Sequence, residues 1–277
     1  MREELHCEVH AGAGLPLLLV HGMLASRAQW IPNLESLARV ARPVVVELLG
    51  HGRSPAPEDP EAYRPERYVE AFERIRAELG TERWLICGQS LGAALTLRYA
   101  LEHPRRVVAQ VFTNSNSALA GDGWRARVLP PMQTLAARLE REGTGSLEAL
   151  PIHPARSRRI PPKIREALVS DCALHHPRGI ALTGLHTVPE SSVRDRVAST
   201  RVPSLLVVGE RETRFAEQRA FAERTIPGLE VVPVDAGHAV NIEAAQAFNA
   251  AVTRFVAKHS SVASTERDGE LIARRAP

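Results

Sequence analysis

The chain has 277 residues, 44% of them hydrophobic and 24% charged, with a formal charge of +3 at pH 7 and a mean hydropathy of −0.16. That balance excludes a disordered, collagen-like or disulfide-stapled chain, and a surplus of three charges gives no footing for nucleic acid. The longest apolar runs, such as Leu15 to Val20 and Val44 to Leu49, are too short to span a bilayer, so no membrane partner is expected.

The first residues, Met1-Arg-Glu-Glu-Leu-His, lack the apolar centre of a secretory signal. Cys7, Cys87 and Cys172 are widely spaced and match no metal motif, so they read as free thiols in a reducing compartment. A cytoplasmic protein without a metal is the expectation.

Leu5, Cys7 and Val9 alternate with polar residues and predict a leading antiparallel edge strand. Short apolar runs then follow, each closed by a turn residue: Leu17–Val20, Val44–Leu48, Trp84–Cys87, Val107–Phe112, Leu205–Val208 and Val231–Val234. Most are rich in β-branched residues, as strands buried on both faces should be. Segments of helical period separate them: Gln29–Ala38, Glu66–Leu79, Leu91–Glu102, Glu217–Thr225 and Ala244–Lys258. Strand and helix alternating in this way predict an α/β fold, a mostly parallel central sheet with helices on both faces.

The rhythm stops between about Asn116 and Arg201. Prolines and arginines crowd that stretch, which holds helical pieces (Met132–Arg141, Lys163–Leu174) and no strand pattern. The expected organisation is a core of residues 1–115 and 202–259, a helical cap of residues 116–201 inserted between two core strands, and a mobile polar tail from Ser260 to Pro277.

The chemistry gathers at strand ends. Gly88-Gln89-Ser90-Leu91-Gly92 lies where a buried strand gives way to a helix. A serine there projects its hydroxyl above the sheet, and the flanking glycines remove the Cβ atoms that would clash in so sharp a turn. A serine hydroxyl needs a base. Among eleven histidines, His238 follows the last strand within Asp235-Ala236-Gly237-His238, where Glu243 could serve the next helix N-terminus. His21, His51 and His103 suit structural roles in turns or at a helix end. The base needs a carboxylate to fix its tautomer; Glu212, three residues past Gly209, is the choice, with Glu210 and Asp122 as competitors. Two backbone amides, of Leu91 and of Met23 in the His21-Gly22-Met23 turn, are candidates for an oxyanion hole. Trp124 opens the cap and is the aromatic residue placed to face a substrate pocket.

Taken together, His21-Gly22, Gly50-His51-Gly52-Arg53-Ser54, Gly88-Gln89-Ser90-Leu91-Gly92, Gly209 with a carboxylate three residues on, and Gly237-His238 resemble the α/β-hydrolase superfamily, in its chain order of serine, acid, histidine. The resemblance runs from about Leu15 to Phe255. It implies an eight-stranded type of sheet, a cap, no cofactor, and hydrolysis of an ester-like bond through an acyl-enzyme. Glu47 and Leu49 stand where relatives commonly carry Asp and Pro, and Glu212 where Asp is commoner. The segment from Gly209 to Phe215 also looks like that of the menaquinone-pathway lyase subgroup.

Three functions follow from these residues. The first is a serine hydrolase acting on a small ester, thioester or lactone. The second is a cofactor-free lyase or C–C bond hydrolase using the same three residues on a carboxylated substrate, bound by cap arginines such as Arg125, Arg127, Arg156, Arg158 and Arg159. The third is a small-molecule receptor without turnover, which an intact Ser, His and carboxylate argues against. In each case the partner is a small molecule; periodicity leaves its identity and the oligomeric state open.

Overall fold

The structure, a computed structural model, describes residues 4–143, 145–148, 150 and 153–273, with side chains to residue 261. Seven strands form one sheet in the order β1-β3-β2-β4-β5-β6-β7. They are β1 (Cys7–Val9), β2 (Pro16–Val20), β3 (Arg42–Val46), β4 (Trp84–Gly88), β5 (Val107–Thr113), β6 (Ser204–Gly209) and β7 (Glu230–Val234). Every neighbouring pair is parallel except β1 with β3. Among the described residues the sheet is one strand short of the eight that the family resemblance implies, because a single antiparallel strand precedes the parallel set.

The strands are apolar throughout because both faces are covered. Leu18, Val20, Val44, Val46 and Ile86 face one side, against Tyr68, Val69, Phe72 and Ile75 of α2 (Pro65–Glu78) and Leu91, Leu95 and Tyr99 of α3 (Leu91–Glu102). Their alternates Leu17, Leu19, Val45, Leu85 and Cys87 face the other side. There they meet Trp30, Leu37 of α1 (Ile31–Ala38), and Phe248, Val252 and Phe255 further along the chain. A side chain such as Phe72, fully buried, contributes about 2–3 kcal/mol by leaving water. Gln29, expected in the first helix, lies instead in a 3-10 turn (Arg27–Trp30) that Ser26 caps by accepting the Ala28 N–H, and Pro32 starts the α-helix proper.

Between β5 and β6 the described chain is helical, with no strand: α4 (Trp124–Glu142), α5 (Gly145–Glu148), α6 (Pro162–Cys172) and α7 (Pro177–Leu182), the last running into a π-helical turn at Thr183–Thr187. α4 starts earlier than its period suggests and passes through Pro130 and Pro131. The carbonyls those prolines leave without donors belong to Ala126 and Arg127, both exposed, so water can serve them. Pro177 starts a helix, its missing N–H being one a first helical turn does not use.

The cap rests on the core at two apolar seams. Ala136 and Leu139 of α4 and Ile180 of α7 pack on Leu24, while Ile164 and Leu168 of α6 pack on Ala28 and Ile242. Gly50 (φ +74°) and Gly179 pass backbone against backbone, and the His176 N–H donates to the Gly50 carbonyl at 2.9 Å. The rest of the core comprises α8 (Ala216–Thr225), α9 (Val240–Glu243) and α10 (Ala245–Ala273). The stretch from Ser260, expected to be a tail, continues α10 to Ala273, and residues 274–277 lie outside the described residues.

Candidate active site

The turn from β4 into α3 is tight and strained. Ser90 takes φ +53° and ψ −114°, a backbone region that a residue with a side chain seldom occupies. The close approaches that hold the turn depend on glycine. A Cβ on Gly88 would collide with the Gly92 carbonyl and Thr96 Oγ1, and one on Gly92 with the Val20 carbonyl. In the first turn of α3 the Gly92 N–H donates to the Gln89 carbonyl (2.8 Å) and the Ala93 N–H to the Ser90 carbonyl (3.0 Å), which tightens the turn behind the serine.

Three strand-end loops meet over this turn. His238 Nε2 lies 2.9 Å from Ser90 Oγ, and His238 Nδ1 lies 2.8 Å from Glu212 Oε2. The tautomer follows: an ionised carboxylate only accepts, so Nδ1 carries the hydrogen and Nε2 is left to accept from the serine hydroxyl. Burial raises the Glu212 pKa, but the hydrogen bond and charge of His238, the Asn114 amide and Arg214 outweigh it and hold the carboxyl below its ordinary value. Asn114 Nδ2 donates to Glu212 Oε2 (2.8 Å) and Asn116 Nδ2 to Oε1 (3.2 Å). The competing carboxylates stand elsewhere. Glu210 faces Arg219 at 3.9 Å, and Asp122 sits in the turn before α4, its carbonyl accepting from Arg127.

The acid and histidine loops touch through backbone. Gly209 lies so close to Gly237 that a Cβ there would run into the Gly237 carbonyl, and the Arg211 N–H donates to the Ala236 carbonyl at 2.9 Å. The Met23 and Leu91 amides donate no hydrogen bond among the described residues, which leaves two N–H groups free at the edge of the serine turn. Gly22 between them must lack a side chain, since a Cβ would strike Gln89 Oε1. Trp124 Nε1 donates to the Val188 carbonyl at 3.1 Å, and its ring packs on the core beside Met23 and Val128.

His21 and His51 are buried and pinned in their turns. His21 Nδ1 donates to the Gly22 carbonyl (2.7 Å) while Nε2 accepts from the Leu48 N–H (3.0 Å). His51 Nδ1 donates to the Leu49 carbonyl (2.9 Å) and Nε2 accepts from the Leu24 N–H (3.1 Å). A third buried ring, His175 of the cap, accepts from the Gly52 N–H at 3.0 Å. Adjacent ring centroids are 5.2 Å apart. Burial pushes His21 and His175 down to about 4 and His51 well below its ordinary value, so all three are neutral at pH 7.

The sequence did not single out Asn114 or Asn116, Gln89 as a tether (its Nε2 donates to the His238 carbonyl at 3.0 Å), or His175. Only Asn114 had a visible signal, a polar residue closing an apolar strand. Cys87, three residues before Ser90, is fully buried and its thiol is pushed far above its ordinary pKa by burial, which leaves it inert. Among the described residues no His, Cys, Asp or Glu cluster gathers as a metal site, and no helix is long and apolar enough to cross a membrane.

A doubly covered parallel sheet with a serine at a strand-to-helix elbow, faced by a histidine and a carboxylate, is the architecture of an α/β hydrolase. The family model described as alpha/beta hydrolase fold matches residues 16–245, and the chain belongs to that family. It is 27% identical over 248 residues (87% of this chain, 89% of the relative) to a Bacillus subtilis (strain 168) protein named provisionally as 2-succinyl-6-hydroxy-2,4-cyclohexadiene-1-carboxylate synthase. It is 25% identical over 243 residues (87% and 79%) to the carboxylesterase YbfK of the same organism. A thermophilic esterase from Thermogutta terrifontis shares the fold with a TM-score of 0.78 at 24% identity, over 92% of this chain and 94% of that one.

Proposed function

We propose that the protein is a serine hydrolase that cleaves a small ester, thioester or lactone. The observation that supports this reading is the continuous line of hydrogen bonds from Glu212 through His238 to Ser90. Ser90 Oγ attacks the acyl carbon as His238 Nε2 takes its proton. Glu212 fixes the Nδ1–H tautomer and stabilises the imidazolium. The amides of Met23 and Leu91 donate to the oxyanion as it forms. His238 then returns its proton to the leaving group, activates a water, and the acyl-enzyme is cleared. An acyl wall free of aromatic rings would draw on Met23 and Met132, whose Cε and Sδ both lie over the bare Cα face of Gly184.

The test is turnover of p-nitrophenyl butyrate together with labelling of Ser90 by a fluorophosphonate. Ser90→Ala should lose both and keep the wild-type melting profile. Full activity in that variant ends the proposal, and an unlabelled serine in the wild type favours a receptor.

A second reading, lyase or C–C bond hydrolysis on a carboxylated substrate, draws support from the synthase named above. Four of the five cap arginines, all but Arg158, are already engaged, which counts against it. Arg125 pairs with Glu190, Arg127 with the Asp122 carbonyl, Arg156 with the Glu148 carbonyl and Arg159 with Glu243. A strong preference for acidic over neutral esters would reverse that judgement.

A further inference from the structure

The imidazole of His238 is nearly half exposed, so packing does not hold it in place. Besides its bonds to Glu212 and Ser90, the peptide chain on either side places it. Glu243, at the end of α9, reaches back so that Oε2 accepts the Gly237 N–H at 2.9 Å and Oε1 accepts the Ala239 N–H at 3.3 Å. Between these amides, the His238 carbonyl accepts from Gln89, the neighbour of the nucleophile. Three consecutive residues are thereby bonded to side chains, and one carboxylate supplies two of the bonds. A glutamate that served only to cap the short helix would need the Ala239 amide alone.

The same carboxylate also meets the cap. Arg159, in the loop before α6, brings Nη1 to 3.6 Å from Glu243 Oε2, and a Cβ on Gly237 would lie 2.9 Å from that Nη1. Glu243 is only 11% exposed, while Arg159 is 53% exposed. The carboxylate is thus the fixed member of the pair, and the guanidinium closes over it from the cap side.

We infer that Glu243 is a positioning residue for His238, and that Arg159 completes the clasp, so that one carboxylate sets both the catalytic base and the adjoining edge of the cap. This rests on the hydrolase reading of Ser90 and His238. It assigns Glu243 no contact with substrate: its effect passes through the placement of the imidazole relative to Ser90 Oγ. A displacement of the order of 1 Å there costs about a hundredfold in rate.

Four proteins test the clasp: Glu243→Ala, Glu243→Gln, Arg159→Ala, and the Glu243→Gln/Arg159→Ala double variant, each checked for an unchanged circular dichroism spectrum. On p-nitrophenyl butyrate, Glu243→Ala should lower kcat about tenfold to a hundredfold with KM within twofold. Glu243→Gln, which keeps one acceptor oxygen, should recover most of that loss. Arg159→Ala should lower kcat a few-fold, and that loss should vanish in the Glu243→Gln background. A readout free of substrate is the low-field proton NMR signal of His238 Nδ1–H bonded to Glu212. It should be sharp in the wild type and broadened by exchange in Glu243→Ala. A sharp signal in Glu243→Ala overturns the inference whatever the substrate, as does an unchanged kcat in Glu243→Ala where the wild type turns over ester. Additive losses from Arg159 and Glu243 remove Arg159 from the clasp. If the wild type fails to turn over any ester, the hydrolase reading falls, and the NMR comparison still decides the positioning role.

Discussion

The loops at the carboxyl ends of the sheet and the cap above them are held by different means. The loops touch through backbone and buried polar side chains: Gly209 against Gly237, Asn114 bridging the Gly209 amide and carbonyl to Glu212, and His21 and His51 locked between turns. The cap touches the core through two small apolar seams, one glycine crossing and a few polar bonds, such as Ser26 Oγ to Asp171 Oδ2 and the Gly52 N–H to His175, and covers its outside with exposed ion pairs such as Arg138–Glu142 and Arg178–Glu140. Placement of reacting atoms demands the first kind of contact, which tolerates no added atom. The exposed pairs of the second kind tolerate changes of side chain far more readily.

The largest expected effect falls on the buried carboxylate. Glu212→Gln places an amide where His238 Nδ1 needs an acceptor of fixed orientation, and should lower kcat about a thousandfold to ten-thousandfold with little change in KM. Steady-state kinetics on one ester measures it. A loss below tenfold would mean that this carboxylate does not orient the base.

A pair of glycines sharpens the contrast between regions. Gly209→Ala forces a methyl group into the Gly237 carbonyl, where both partners are backbone, and should cost more than about 3 kcal/mol in a urea melt. Gly145→Ala, in α5 of the cap, meets nothing within 4 Å and should stay within about 0.5 kcal/mol of wild type. Equal effects at the two positions would erase the distinction.

Acid should weaken the polar side of the same contrast. His21 and His175 titrate near 4 when folded and near their ordinary 6.5 when unfolded. Between those values the unfolded chain takes up protons that the folded chain refuses. Stability is therefore fully present above about pH 6.5 and declines as pH falls towards 4, by on the order of 3 kcal/mol for each ring. His175→Gln, which keeps an oxygen for the Gly52 N–H, should flatten the pH dependence of the urea midpoint. An unchanged slope would show that this ring is not among the groups responsible.

The smallest effect belongs to the cap arginines. Arg125→Ala and Arg178→Ala remove exposed pairs and should change the unfolding free energy by less than about 1 kcal/mol, with kcat/KM for a neutral ester within threefold. A tenfold loss on an acidic ester alone would identify a substrate contact.

The sheet was legible in the sequence because a strand buried on both faces writes itself as a short apolar run closed by a turn residue, as Trp84–Gly88 and Ser204–Gly209 do. Ser90 and His238 were legible for a related reason, since each sits at the end of such a run. Glu212 was chosen from the spacing after Gly209 over Glu210 and Asp122, and what sets it apart from Glu210, that its carboxylate meets Asn114 and Asn116, lies in contacts distant in sequence. Of the supporting residues, Glu243 was legible only as a partner for the next helix N-terminus, while Gln89 and His175 act through contacts 149 and 123 positions away along the chain, and nothing in local period or composition marks such pairings. The cap was the least legible part, because its prolines look like breaks. In the fold they begin helices at Pro162 and Pro177 and are tolerated inside α4 where the abandoned carbonyls face water.

That proline pair has a mechanical consequence for α4. The turns bearing Trp124 and Val128 precede it, and those anchored by Ala136 and Leu139 follow it. Flexing a helix ordinarily breaks internal bonds, but here two of them were never formed, so bending is cheapest at this joint. A bend at Pro130–Pro131 lets each half of α4 follow its own seat, Trp124 and Val128 on one, Ala136 and Leu139 on the other.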